Sequence, residues 1–570
     1  MRLIAALLLA VVLSGCRAKP SPYSQMAEEF VYGMLSLSPV YASSSGYHEH
    51  RGVRLDAAFD DVSKSGIETQ RRFYTDYKQR FEEASRRPDL TPDERADFEL
   101  IRNQIELALL ELDTIQGWKH NPTQYVELIG NGLYSPYVLE SAPKTRRFRD
   151  IVARIARIPD VLQQARANLT DSPEVWNRVA QEENDGNISL IDITLRRDCP
   201  AEAQADFDRV APGALTALRD FNTWLRTDLS QRTSDWRLGK EKYALKLKYA
   251  LGSDQSPEQL LADAESTLKA TRDKMAEIAK AEGVEAALNR IAAKHATPET
   301  YFDSAKRDLA EAAAFVRDHK LLTLPARSNL QVIPTPEFMR GIYGVGGFSP
   351  APALEPRLGA FYWITPIPLK WPKDRIESKL REYNFYGLKI LTVHEAMPGH
   401  YVQAEYANDV QPDSRRLVRA VLGNGPYVEG WAVYATEMLI DAGYYKDDPG
   451  MQLTWGKQFL RAVANTILDI RMQTMNMTDQ EALDLMLKDT YQEREEATAK
   501  LQRAQLSSAQ LPTYFAGYRG WLAVRDQFRA RKGSAYSMKD FHEQALKAGA
   551  VTLPSLGRLL AGDDSSEPRP

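Results

Sequence analysis

The stretch Leu391-Thr-Val-His-Glu-Ala-Met-Pro-Gly-His400 sets two of the chain's eight histidines around a glutamate. Imidazoles are ligands that Zn²⁺ favours in catalytic sites, and a carboxylate beside the first can serve as general base on water. The interval needs explaining, because it exceeds the His-Glu-x-x-His spacing by two residues. On a regular helix, residues four apart lie about 40° apart and roughly 6 Å along the axis, so both rings reach one ion. Six residues put them about 120° apart and roughly 9 Å along, too divergent for a shared tetrahedral metal.

Pro398 and Gly399 supply the correction. Proline cannot donate to the carbonyl of His394 and its ring crowds that oxygen, so the helix must kink or bulge. Glycine accepts backbone angles that other residues resist, letting the helix resume in a new phase. The expectation is a two-residue bulge that returns His400 to the face of His394. Upstream, Leu380, Tyr383, Gly387, Ile390 and His394 follow steps of three and four, the core-facing stripe of an amphipathic helix.

A third ligand is expected from Gly425-Pro-Tyr-Val-Glu-Gly-Trp-Ala-Val-Tyr-Ala-Thr-Glu-Met-Leu439, which opens with Gly-Pro and continues in helical pattern. Glu429 shares a face with Ala432, Ala435 and Leu439, and a carboxylate on such a stripe is costly unless a positive group meets it. Small residues at 430, 432 and 435 would let this helix pack close to the first. Glu429 is therefore the candidate to complete a two-histidine, one-glutamate site with an open position. Glu437 is the weaker competitor, as a supporting or exposed carboxylate.

The string HEAMPGHYVQ (394–403), followed by EGWAVY (429–434), resembles the signature of a bacterial family called domain of unknown function 885, which is grouped with the gluzincin metallopeptidases. Thr335-Pro-Glu-Phe-Met-Arg-Gly341, the aromatic run near Phe361, and the ending from Lys539-Asp-Phe-His-Glu543 to Gly549-Ala-Val-Thr-Leu-Pro554 resemble it too. The resemblance spans nearly the whole mature chain. It implies a mainly α, large helical zincin-like (gluzincin) peptidase fold with a small β element beside the zinc helix. It further implies Zn²⁺ held by His394, His400 and Glu429, with Glu395 as base, and says little about substrate.

Export is read from the amino terminus. Met1-Arg2 precedes an apolar run from Leu3 to Leu13, too short to span a membrane as a mature helix. Leu13-Ser-Gly-Cys16 resembles a bacterial lipobox, implying cleavage before Cys16 and lipid on its sulfur. Arg17 follows in place of aspartate, so by analogy with Gram-negative sorting the outer membrane, facing the periplasm, is expected over the inner. Cys199 would then be the remaining thiol, leaving no internal disulfide.

The formal charge of −4 offers no basic excess for nucleic acid. Gly-x-Ser-x-Gly, a Walker phosphate loop and Gly-x-Gly-x-x-Gly are absent from the sequence, which weakens serine-hydrolase, nucleotidase and dehydrogenase readings. Residues 1–15 are expected as signal peptide and 16–325 as helical, with Ala96 to Leu112 and Leu260 to Glu282 the clearest periodic stretches. Residues 326–372 are dense in Pro, Gly and aromatics, with Ala360-Phe-Tyr-Trp-Ile-Thr365 reading as a strand. Residues 373–561 form a second helical region carrying the site, and 562–570 a disordered tail. One continuous domain over 16–561 is the alternative.

By the gluzincin resemblance, the 360–365 strand would pair with extended substrate, making Tyr362 and Trp363 substrate-binding candidates. A hydrophobic plug under a loop is the alternative. Amide hydrolysis also needs a group to stabilise the oxyanion. Helical peptidases of related architecture bring a late Tyr or His over the zinc, which nominates Tyr514, Tyr518 and His542, with Arg519 as a further substrate contact. His48 and His50 read as loop residues, with a pocket-facing position the alternative, and His120, His295 and His319 carry no pattern. The expected activity is zinc-dependent hydrolysis of amide bonds in short peptides by a lipid-anchored protein. The alternatives are a lipid-anchored binding or scaffold pseudoenzyme, or a zinc amidohydrolase acting on a non-peptide amide.

Overall fold

Helix starts along this chain are written in its side chains. Thr91 and Glu94 exchange hydrogen bonds with each other's backbone N–H around Pro92, and Ser256 with Gln259 and Thr478 with Glu481 repeat the device. The periodic stretches accordingly appear as helices Pro92–Leu110 and Pro257–Ala279. This computed structural model describes residues 22–335, 340 and 345–562. The signal segment 1–15, the lipidation candidate Cys16, residues 336–339 and 341 of the Thr335–Gly341 stretch and most of the tail lie outside the described residues.

The fold is mainly α, as expected. The boundary near residue 325 does not separate cores. Phe30, Phe81 and Ile101 from the first helices share one apolar core with Trp431, Phe515 and Trp521 from the last ones. A second core gathers Ile129, Phe148, Ile155, Phe207 and Phe221.

The aromatic run forms a strand between these two cores. A three-stranded sheet runs β1 (Leu330–Pro334), β2 (Gly346–Ser349) and β3 (Ala360–Ile364) in chain order, with β3 in the middle, parallel to β1 and antiparallel to β2. Alternation along β3 sends Tyr362 and Ile364 into the first core and Trp363 into the second. Six later helices concern the site: α1 (Phe385–Glu395), α2 (His400–Ala407), α3 (Gly425–Asp441), α4 (Pro449–Thr474), α5 (Arg494–Leu506) and α6 (Thr513–Lys532).

The stripe Leu380–His394 is not one continuous helix. A helix ends at Glu382, and Asn384 starts α1 afresh by accepting hydrogen bonds from the N–H groups of Tyr386 and Gly387. Its core-facing residues are nonetheless buried: Leu380, Tyr383 and Ile390.

Candidate metal centre

Between the two histidines the chain leaves the helix altogether. Helix α1 ends at Glu395, residues 396–399 form a short turn with a cis Met397–Pro398 peptide, and α2 begins at His400. This corrects the expected two-residue bulge: the phase is reset by a full break. Gly399 is needed for space. A Cβ there would lie 1.8 Å from the carbonyl oxygen of His394 and 2.4 Å from that of Val393. The carbonyls exposed by the break find a donor in α3, where the buried Trp431 indole N–H reaches Pro398 O at 2.9 Å and Gly399 O at 3.3 Å. The tryptophan of the Glu429–Tyr434 string thus holds together the turn between the histidines.

Helix α3 starts at Asn424, whose side chain accepts from Tyr427 N at 3.1 Å, and Pro426 lies in its first turn. Gly430 meets a partner other than the one expected. A Cβ on it would stand 2.2 Å from the backbone of Gly517, so the close approach is to α6, not to α1.

His394, His400 and Glu429 come together. Their imidazole ring centres are 4.7 Å apart with planes at 84°. Glu429 Oε2 lies 3.7 Å from His394 Nε2 and 3.3 Å from His400 Nε2. One ligand-capable atom from each falls within 4.8 Å of the others. Tetrahedral Zn²⁺ with bonds near 2.0–2.1 Å holds its ligand atoms about 3.4 Å apart, close to the two Glu429–imidazole distances. Glu429 Oε2 is also buried without a hydrogen-bond donor, as is His400 Nδ1. A buried carboxylate oxygen facing two imidazoles and receiving no proton suits a cation. Burial raises the Glu429 carboxyl, but the His400 and His394 rings outweigh it and the net direction is well down. For His400 burial lowers and Glu429 raises, with a net upward direction.

Glu395, the last residue of α1, is half-buried and makes no hydrogen bond or ion pair among the described residues. Phe348 of β2 lies parallel to the His400 ring at 6.3 Å, and Tyr514 of α6 parallel to the His394 ring at 6.3 Å. Tyr514 is thus at the site, its phenol pushed up to about 12 by burial and then by Glu429.

Other expected participants are elsewhere. Tyr362 is fully buried and its hydroxyl meets Thr392 Oγ1 at 3.1 Å, so it supports α1 from beneath and has no surface for substrate. Trp363 points to the opposite side, into the second core. Because β3 is bonded on both edges it cannot pair with an extended peptide, and β2 is the edge strand beside His400. Tyr518 donates to Glu437 at 2.6 Å, away from the cluster. His542 is fully buried, with Nδ1 on Leu321 O at 2.9 Å and Nε2 on the Tyr434 hydroxyl at 2.9 Å, and burial pushes it down to about 4. Both its nitrogens are spent on packing. Arg519 is exposed on an outer groove with Gln527, Arg531 and Arg558, a groove that includes none of the three clustered residues. His48 is clamped between Asp56 at 2.9 Å and Glu355 at 3.0 Å.

The sequence reading overlooked α5. Its buried face carries Glu496 and Lys500, and Arg503 donates to the Tyr514 hydroxyl at 3.3 Å. A charged face on a surface-like helix gives no sequence signal of pointing inward.

A helical protein with a His-His-Glu cluster across a broken helix is therefore the class in hand. Residues 39–560 match the family described as "Bacterial protein of unknown function (DUF885)", and the chain belongs to that family. A solved structure of a candidate lipoprotein of unknown function from Shewanella oneidensis is similar, with TM-score 0.78 and 27% identity over 95% of this chain and 100% of that one. A candidate lipoprotein from Colwellia psychrerythraea shares the fold at TM-score 0.78 and 16% identity, covering 95% of this chain and 98% of that one. No curated protein matches the chain. Among the described residues no helix is long and apolar enough to cross a membrane.

Proposed function

We propose that this protein is a zinc-dependent metallopeptidase that hydrolyses amide bonds in short peptides, exported and anchored through lipid on Cys16. The observation that carries the reading is Glu429 Oε2, buried, undonated, and 3.3 and 3.7 Å from two imidazole Nε2 atoms. His394, His400 and Glu429 would hold the ion. Zinc, when bound, supplies Lewis acidity to water and to the scissile carbonyl.

The chain's own groups account for the remaining chemistry. Glu395, unpaired beside the cluster, takes the proton from the attacking water and delivers it to the departing amine. Tyr514 accepts from Arg503, which leaves its own O–H free to donate to the carbonyl oxygen as charge develops there. Among the described residues no strand pairs with the outer edge of β2, next to His400, and that edge is suited to an extended peptide backbone.

A peptide-mixture digest followed by mass spectrometry tests the reading. Cleavage should appear with the purified chain, vanish on chelation and return with Zn²⁺. Metal-loaded protein that leaves every peptide intact would remove the peptidase reading.

A further inference from the structure

Helix α5 carries two cations that sense the Glu429 charge, and among the described residues neither makes an ion pair or hydrogen bond with a carboxylate. Lys500 is 5% exposed and makes no hydrogen bond or ion pair among the described residues. Arg503 donates to Tyr514 Oη at 3.3 Å and to Gln510 Oε1 at 2.9 Å, both neutral. The neighbouring acids are committed. Glu496 pairs with Arg461 and, at 3.5 Å, with Lys379, while Glu382 pairs with Lys457 at 2.7 Å. Burial, then Arg461 and Arg503, push the Lys500 amine well below its ordinary value, the response of a cation short of a counter-ion. Both α5 cations also sense the charge of Glu429, and a divalent ion on that carboxylate would engage the negative charge nearest them.

Such a surplus of positive charge next to a hydrolytic centre needs an anion from outside. Tyr514 fixes the distance. Its ring centre lies 6.3 Å from that of His394 and its hydroxyl accepts from Arg503 at 3.3 Å, so a single side chain separates the guanidinium from the cluster. An extended residue spans about 3.5 Å, which leaves room for one or two residues between the cleaved bond and a carboxylate on Arg503. Arg503 still has N–H donors in a planar fork that matches a carboxylate.

We propose that Arg503 and Lys500 bind the free C-terminal carboxylate of the substrate, making the enzyme a carboxypeptidase that removes the last one or two residues. The proposal rests on the peptidase reading above. In the step, the oxygen of water bonds to the scissile carbonyl carbon and the C–N bond breaks. Glu395 carries a proton from water to the leaving amine, and the shortened peptide departs as a carboxylate.

Binding to the full-length Glu395→Gln chain, loaded with Zn²⁺, separates this from the parent reading. Calorimetry would compare N-acetylated tripeptide acids with their C-terminal amides, including amides carrying interior glutamate. The acids should bind at least about tenfold more tightly than either kind of amide. Arg503→Met should erase the difference and Arg503→Lys should restore part of it. Lys500→Met gives a second reading should Arg503→Met unfold. Equal binding of acids and amides, or no binding of either, overturns the proposal. Wild-type cleavage of amidated peptides at interior bonds overturns it too, while leaving the metallopeptidase intact.

Discussion

Glu395 stands at the end of α1 with its carboxylate unengaged, one residue from His394. Replacing it with glutamine keeps size and polarity and removes basicity. Glu395→Gln should retain metal at the wild-type stoichiometry and lose about 10²–10⁴ of turnover. His394→Ala should lose both, as read by metal analysis alongside the same assay. Full activity in Glu395→Gln would reassign the base. At this scale the cluster was legible in sequence because imidazole and carboxylate declare their chemistry wherever they stand. The supporting residues were less so. Tyr514 and Tyr518 are four apart and share a helix face, yet only the first lies against His394, and the second reaches Glu437. Likewise, nothing in the sequence announces that Leu321 and Tyr434 occupy both nitrogens of His542.

The break between α1 and α2 depends on an element distant in sequence. Trp431 donates to the carbonyls of Pro398 and Gly399, and Gly430 beside it allows α3 to touch α6 at Gly517. Trp431→Phe keeps the aromatic bulk and leaves those buried carbonyls undonated, at a cost of about 1–3 kcal/mol. Thermal unfolding should show the loss, and zinc affinity should fall because His400 is set by that turn. Unchanged stability and affinity would mean the turn is held by something else. Pro398 and Gly399 foretold a disruption, but not whether it would be a bulge or a complete break. Proline removes one donor and glycine removes one side chain, and either outcome satisfies both. The sheet teaches the same lesson: β3 was legible by its aromatics, whereas the Pro- and Gly-rich sequence hid β1 and β2, and with them which strand forms the edge.

Across the whole molecule, distant segments meet in buried polar contacts. Asp469 of α4 is fully buried and accepts from the Tyr243 hydroxyl at 2.7 Å and from Ala509 N at 2.8 Å, tying an early helix to the turn between α5 and α6. Burial pushes its carboxyl up to about 7. An unfolded aspartate titrates near 3.9, so between about pH 4 and 7 the folded chain holds a proton that the unfolded chain lacks. Stability from this group therefore falls as pH rises through that window, by ~1.4 kcal/mol per pH unit. Asp469→Asn should remove that slope, seen as a smaller difference between urea unfolding at pH 5 and pH 8. Parallel profiles for the two proteins would contradict it. The same long-range packing brings α1, α2, α3 and α6 to one point, which makes the location of a metal the most direct test. Crystals of chain purified without chelator, measured on either side of the zinc absorption edge, should give one anomalous peak bounded by His394, His400 and Glu429. Zinc bound elsewhere, or no zinc taken up at all even when it is supplied, would contradict the account.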